Sequence, residues 1–181
     1  MPGRIMRLSL CSVDAVSSPV TIRPFEEQDA AACRGLWAEL TRWHRALYDD
    51  PSIGGDDPGA GFDGYPEQAK LWVAERKGSV VGVVGLVIRG RQGEIEPVVV
   101  SFDARGQGIG RSLVETAVEA ARAEGVRQVK ASPVARNALA LRFFHRLGFD
   151  TLGHVDVLLD LERPQSYWKA RESLGEREFR A

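Results

Sequence analysis

The chain has 181 residues, 44% of them apolar, which suits one soluble domain with a sizeable core. Its 24 basic and 25 acidic side chains give a formal charge of −1, so no overall field draws it to nucleic acid or to an anionic membrane. Cys11 and Cys33 are too few for a disulfide framework and lack metal-ligand spacing, so a reducing cytoplasm is expected and no metal site. No run approaches the roughly 18 apolar residues of a membrane span. Residues 1–18 resemble a short signal peptide, but Asp14 interrupts the apolar stretch and no small-x-small site follows, so they read as a loose tail.

A domain is expected over residues 19–163, opening with VTIRPF as a first strand. Residues 28–48 read as a helix, because Leu36, Leu40 and Leu47, with Trp37 and Trp43, recur at three- and four-residue spacing. Residues 49–66, dense in aspartate, proline and glycine, read as a long loop without regular structure. LWVAER and VVGVVGLVI, separated by Lys77, Gly78 and Ser79, predict an antiparallel hairpin, and EIEPVVV at 94–100 a third strand.

A helix comes next with Leu113, Val114, Ala117, Val118 and Ala121 on one face, ended by Gly125. VRQVKAS at 126–132 reads as a short strand. NALALRFFHRL at 137–147 reads as a helix capped by Asn137 and ended by Gly148. HVDVLLDL at 154–161 reads as a closing strand, and 164–181 as a charged, partly helical tail. The order implies an α/β sheet that mixes antiparallel hairpins with crossovers.

ARGQGIGRSL, at 104–113, is a glycine-rich bend at a helix start, which is a ready site for an anion because free N–H groups and the helix dipole both favour negative charge. Two familiar phosphate loops do not fit. Arg111 stands where a dinucleotide loop needs its third glycine, and the strands before it form hairpins; no Gly-Lys-Ser/Thr follows as a nucleoside-triphosphate loop requires.

The remaining pattern, Arg105-x-x-Gly108-x-Gly110 after a strand ending at Val100, resembles the acetyl-coenzyme A signature of the GCN5-related N-acetyltransferase (GNAT) superfamily. Asn137-x-x-Ala140-x-x-x-Phe144-x-x-x-Gly148-Phe149 is similar to that family's second cofactor segment. The resemblance implies a single-domain, mixed and mostly antiparallel central sheet flanked by helices and splayed at the acetyl-CoA site. It places the coenzyme A pyrophosphate on the amides of Gly106, Gln107, Gly108, Ile109, Gly110 and Arg111, with charge from Arg105 and Arg111. It lays the pantetheine arm along Val98, Val99 and Val100, where a backbone N–H near Val98 would hold the thioester oxygen. Pro97, which cannot donate to a ladder, marks either the place where the strands part or a simple bulge. Asn137 and Phe144 are the remaining cofactor contacts; many members have a tyrosine acid where this chain has Phe144, so the ring is present and the proton is not. His145 lies about 100° around the helix and is a weak substitute.

Acetyl transfer needs a neutral amine, and an alkylamine of pKa near 10.4 is uncharged only about once in 2,500 at pH 7, so a base must help. Glu94 and Glu96 alternate with Ile95 and share a face; Glu94, six residues before Val100, has the spacing of the base in the histone-acetyltransferase branch and is favoured slightly. Six acidic residues and no basic one lie between Arg45 and Lys70, a negative lid that would attract a cationic acceptor such as a small-molecule or peptide amine, with His44, Tyr48 and Tyr65 beside it. The competing reading is an idle acyl-CoA sensor or interaction module. The family resemblance also leaves a homodimer open.

Overall fold

The computed structural model describes residues 19–159, 161, 171–174 and 177–180. Five strands form one sheet in the order β1-β2-β3-β4-β5: β1 Val20–Pro24, β2 Lys70–Arg76, β3 Ser79–Arg89, β4 Gln92–Val100 and β5 Gln128–Lys130. The first four are antiparallel neighbours and β5 joins β4 in parallel, so the sheet is mixed and mostly antiparallel, as expected. The β2–β3 turn is Lys77-Gly78, both at positive φ (53° and 76°), which matches the twist of a two-residue hairpin; Ser79 already belongs to β3.

The alternation of β-branched residues gives the sheet two apolar faces, and each is covered by helices. On one face α1 (Ala30–Tyr48) sets Cys33, Leu36, Trp37 and Leu40 against Leu71, Val73, Val83 and Val99. A short helix, α2 (Tyr65–Gln68), precedes β2. On the other face, α3 (Ile109–Ala123) sets Ile109, Leu113, Val114, Ala117 and Ala121 against Ala74, Val84, Leu86 and Ile95. α4 (Ala138–Arg146) adds Phe143 and Phe144 to that second cluster. No helix among the described residues is long and apolar enough to cross a membrane.

Three elements differ from the sequence reading. The 49–66 loop contains a 3-10 turn, Ala60–Phe62, and runs into the single turn of α2, because α1 supplies anchors that composition does not reveal. HVDVLLDL forms no strand: residues 152–159 are irregular and exposed, with Leu158 81% and Leu159 83% accessible. An alternating pattern becomes a strand only where an edge receives it, and β5 at three residues is a short edge. In the tail, where partly helical structure was expected, Arg171–Leu174 (β6) and Arg177–Arg180 (β7) pair antiparallel as a separate two-stranded sheet. The expectation for residues 1–18 lies outside the described residues.

One ion cluster ties β1 and β2 to the entry of α1. Arg23 donates through Nη1 and Nη2 to Asp29 Oδ2 (2.7 Å) and Oδ1 (2.9 Å), and through Nε to Glu75 Oε2 (2.8 Å); the Glu26 N–H also donates to Asp29 Oδ2 (2.9 Å). Asp29 is 4% exposed, and the Arg23 guanidinium holds its carboxyl below the usual carboxylate range against the opposing effect of burial. A carboxyl depressed in the folded state stabilises the fold above its unfolded pKa, near 3.9, and loses that contribution as pH falls through the depressed value. Asp29→Asn is therefore expected to cost about 2 kcal/mol at pH 7 and to flatten the loss of stability below about pH 4, read from urea melts across pH.

Candidate active site

The site arises from how far β5 accompanies β4. Their pairing is limited to Gln92–Glu94 against Gln128–Lys130, while β4 continues to Val100. From Ile95 onward that edge has no strand partner among the described residues, so main-chain groups of Val98–Val100 border an opening between the two strands. Where the opening begins, β4 is also bulged. Val84 pairs with Val98 and Leu86 with Ile95, so Glu96 and Pro97 together face the single Gly85. Both readings of Pro97, parting strands and a bulge, thus apply at one place.

The bulge changes which side the residues face. Ile95 and, beyond the bulge, Val98 and Val100 pack with the α3 cluster, whereas Val99 packs with the α1 cluster. Glu94 and Glu96 lie on the α1 side, where both carboxylates act on the phenol of Tyr65. Burial first and then Glu96 push the Tyr65 hydroxyl well above the usual phenol range, so it stays protonated.

The two carboxylates are in different surroundings. Glu94, with its side chain 14% exposed, takes Lys130 Nζ at 2.8 Å and Ser132 Oγ at 3.2 Å on Oε1, and Arg89 Nη1 at 3.4 Å on Oε2. Burial raises its pKa, but Lys130, Ser132 and Arg89 together outweigh burial and leave it below the ordinary value. Glu96 is exposed, with Tyr65 turned toward it.

β4 leads through the 3-10 turn Phe102–Ala104 into the glycine bend. Gly106 and Gly108 have φ of 75° and 81°, a region that favours glycine, and Gly108 is the N-cap of α3. No side chain caps it, so the N–H groups of Ile109, Gly110 and Arg111 are left for an anion. Arg105 is largely structural: Nε donates to the Val100 carbonyl (2.9 Å), Nη2 pairs with Glu39 (3.3 Å) and the guanidinium lies 5.4 Å from the centre of the Phe102 ring. Gln107 accepts from Arg76 Nη1 (2.9 Å), and the exposed Arg111 pairs with Glu115 (2.7 Å).

Asn137 caps α4, its Oδ1 accepting from Ala140 N–H at 3.0 Å. Phe144 packs edge-on with Phe149 (5.3 Å) and Phe143 (5.1 Å) in the α3-side cluster. The neighbouring Phe143 ring lies 3.4 Å from where a Cβ on Gly110, in the first turn of α3, would be. Sequence reasoning missed it because the motif pointed one residue further on. His145 is exposed.

On the α1 side of the sheet, the 49–64 loop is fastened to α1. Arg34 pairs with both Asp57 and Asp63, Thr41 Oγ1 donates to the Pro58 carbonyl (2.9 Å), and Arg45 donates to the carbonyls of Ile53 (2.8 Å) and Gly55 (2.6 Å). Asp50 is buried and accepts from the Ser52 N–H (2.9 Å) and hydroxyl (2.6 Å). Part of the lid's negative charge is therefore paired with Arg34, at the surface. The loop delivers α2 so that the Tyr65 ring packs at a tilt against Trp37 (5.1 Å between centres), near Glu96. Burial lowers the pKa of the half-buried His44, and Tyr48 carries the Arg136 guanidinium 4.9 Å from its ring centre.

A strand edge without a partner strand, a carboxylate pair and an uncapped helix start thus stand together along β4 and the turn that follows it. The model of the Acetyltransferase (GNAT) family matches residues 32–149, well over half the chain. N-acetyltransferase family 8 member 3 of Rattus norvegicus is 30% identical over 89 residues, 46% of this chain and 39% of that relative. The chain thus spans about two fifths of the curated relative it matches.

The crystal structure of a Trypanosoma brucei acetyltransferase superposes with a TM-score of 0.59 at 27% identity, covering 79% of this chain and 100% of that one. AAC(6')-Iy in complex with the bisubstrate analog CoA-S-monomethyl-acetylneamine shares the fold, with a TM-score of 0.60 at 17% identity over 79% of this chain and 99% of that one. This chain belongs to the acetyltransferase (GNAT) family of acetyl-CoA-dependent N-acetyltransferases.

A Cβ at Gly85 would sit 2.3 Å from the Glu96 carbonyl oxygen and 2.9 Å from Pro97 Cδ, so only glycine permits the bulge. Gly85→Ala is expected to cost about 2 kcal/mol in a denaturant melt. Gly35→Ala, in α1 with nothing within 4 Å, should instead gain about 0.5–1 kcal/mol.

Proposed function

We propose that this protein transfers the acetyl group of acetyl-CoA to a primary amine of a small cationic acceptor, by direct attack with a carboxylate base. The observation that carries this reading is the coincidence at the bulge: the open edge at Val98–Val100 and the Glu94/Glu96 pair stand on one short stretch of β4. Amides from Gly106 to Arg111 would hold the pyrophosphate and Val98–Val100 the pantetheine, with the rings of Phe143 and Phe144 beside α3 and Asn137 fixing α4.

The incoming ammonium loses a proton to a carboxylate, directly or through a water. The amine nitrogen then bonds the thioester carbon, and the carbon–sulfur bond breaks. Glu96 suits the base role better than Glu94, whose oxygens are occupied by Lys130, Ser132 and Arg89 and whose depressed pKa weakens it as a proton acceptor. Glu94 then supplies fixed negative charge that favours a cation nearby. Phe144 has no proton to give, so the departing thiolate takes one from water or from the base; this same feature favours the sensor as the second reading.

Glu96→Gln is expected to lower kcat in a thiol-release assay by about 10²-fold with the affinity for acetyl-CoA within about twofold by calorimetry, and Glu94→Gln to lower it less. Loss confined to Glu94→Gln would move the base to Glu94. In the same preparation acetyl-CoA at 100 times its Kd should add about 2.7 kcal/mol to stability, seen as a higher Tm. Cofactor binding without turnover on any amine would leave the sensor.

A further inference from the structure

On the α1 side a contact joins the two sides of the opening between β4 and β5. α1 passes over the sheet from Trp37, whose ring packs at a tilt against Tyr65, to its last residue, Tyr48, and there it meets Arg136, 4.9 Å from the ring centre. Arg136 belongs to the segment 131–137 that leaves β5, and that segment also reaches down to the floor of the cleft, where Ser132 donates to Glu94. The contacts form an arc: Tyr65 to Trp37, along α1 to Tyr48, across to Arg136, and along the 131–137 segment to Ser132, which donates to Glu94. The arc of α1 from Trp37 to Tyr48 is about 16 Å long at 1.5 Å per residue.

We propose that the Arg136–Tyr48 contact is the specificity-determining gate of the acceptor cleft, bounding it opposite Tyr65 and limiting the bulk of the amine that it admits. The proposal rests on the acetyltransferase reading above. The two halves of the gate come from different segments, so neither α1 nor the β5–α4 segment alone sets the width. A guanidinium stacked on a phenol ring is also a contact that a single substitution removes without opening the apolar core, since neither residue belongs to the two buried clusters.

The test compares kcat/KM for a slender alkylamine and for a ring-bearing aminosugar of similar basicity, in the wild type, Arg136→Ala, Tyr48→Leu and the double variant. Opening the gate should raise the ratio of bulky to slender kcat/KM by about tenfold in either single variant, leave the KM for acetyl-CoA unchanged, and give no further gain in the double variant. A wild type that acetylates the slender amine but whose ratio is unchanged in both single variants overturns the gate alone. A wild type that binds acetyl-CoA and acetylates neither amine overturns the acetyltransferase reading and the gate with it.

Discussion

Two residues of β4 face one residue of β3, and much of the site depends on that mismatch. Glu96 and Pro97 can stand opposite Gly85 because glycine has no side chain to meet the Glu96 carbonyl. The extra residue reverses the alternation of β4, so Ile95, Val98 and Val100 serve the α3 core while Glu94, Glu96 and Val99 serve the α1 side. Without the bulge, Val98 and Val100 would share a face with the two glutamates. The bulge thus separates an apolar wall from the carboxylates within one short strand.

The divergence of β5 is the second half of the same arrangement. A parallel strand three residues long satisfies β4 only as far as Glu94, and beyond it that edge has no strand partner among the described residues, the Val100 carbonyl accepting from Arg105 Nε instead. Lys130, the last residue of β5, and Ser132 just after it both bind Glu94, so the point of divergence is pinned electrostatically. Those contacts explain why adjacent carboxylates on one face differ: the one at the fork is held by the fork, and the next along is not.

Local patterns carried most of the fold. The hairpin between β2 and β3, the glycine bend at the start of α3, the Asn137 cap and the apolar face of α3 all depend on neighbours a few residues apart and are found as read, except that Ser79 belongs to β3; of the face read on α1, Leu36, Trp37 and Leu40 pack in the cluster on the sheet and Trp43 and Leu47 do not belong to it. The failures involve distant partners. HVDVLLDL alternates as a strand should, yet alternation says nothing about whether an edge will receive it. The lid looked negative because Arg34, which pairs with Asp57 and Asp63, is 23 and 29 residues away from them in the chain. The different surroundings of Glu94 and Glu96 were hidden for the same reason, since Lys130 and Ser132 lie beyond α3.

α1 ties the turn before the glycine bend to the loop that carries α2. Its Glu39 carboxylate accepts from the Phe102 N–H (2.6 Å) and pairs with Arg105, so it steadies the turn that delivers the glycine bend. Its Arg34, Thr41 and Arg45 fasten the loop that brings Tyr65 to Glu96. Trp37, Thr41, His44 and Tyr48 recur at the three- and four-residue spacing of one helix face, and Trp37 and Thr41 on that face meet the loop. A rigid-body shift of α1 would therefore move the glycine bend and Tyr65 together. Polar contacts anchor the helix to the bend and to the loop while its apolar face stays on the sheet, so neither segment is positioned independently of the other.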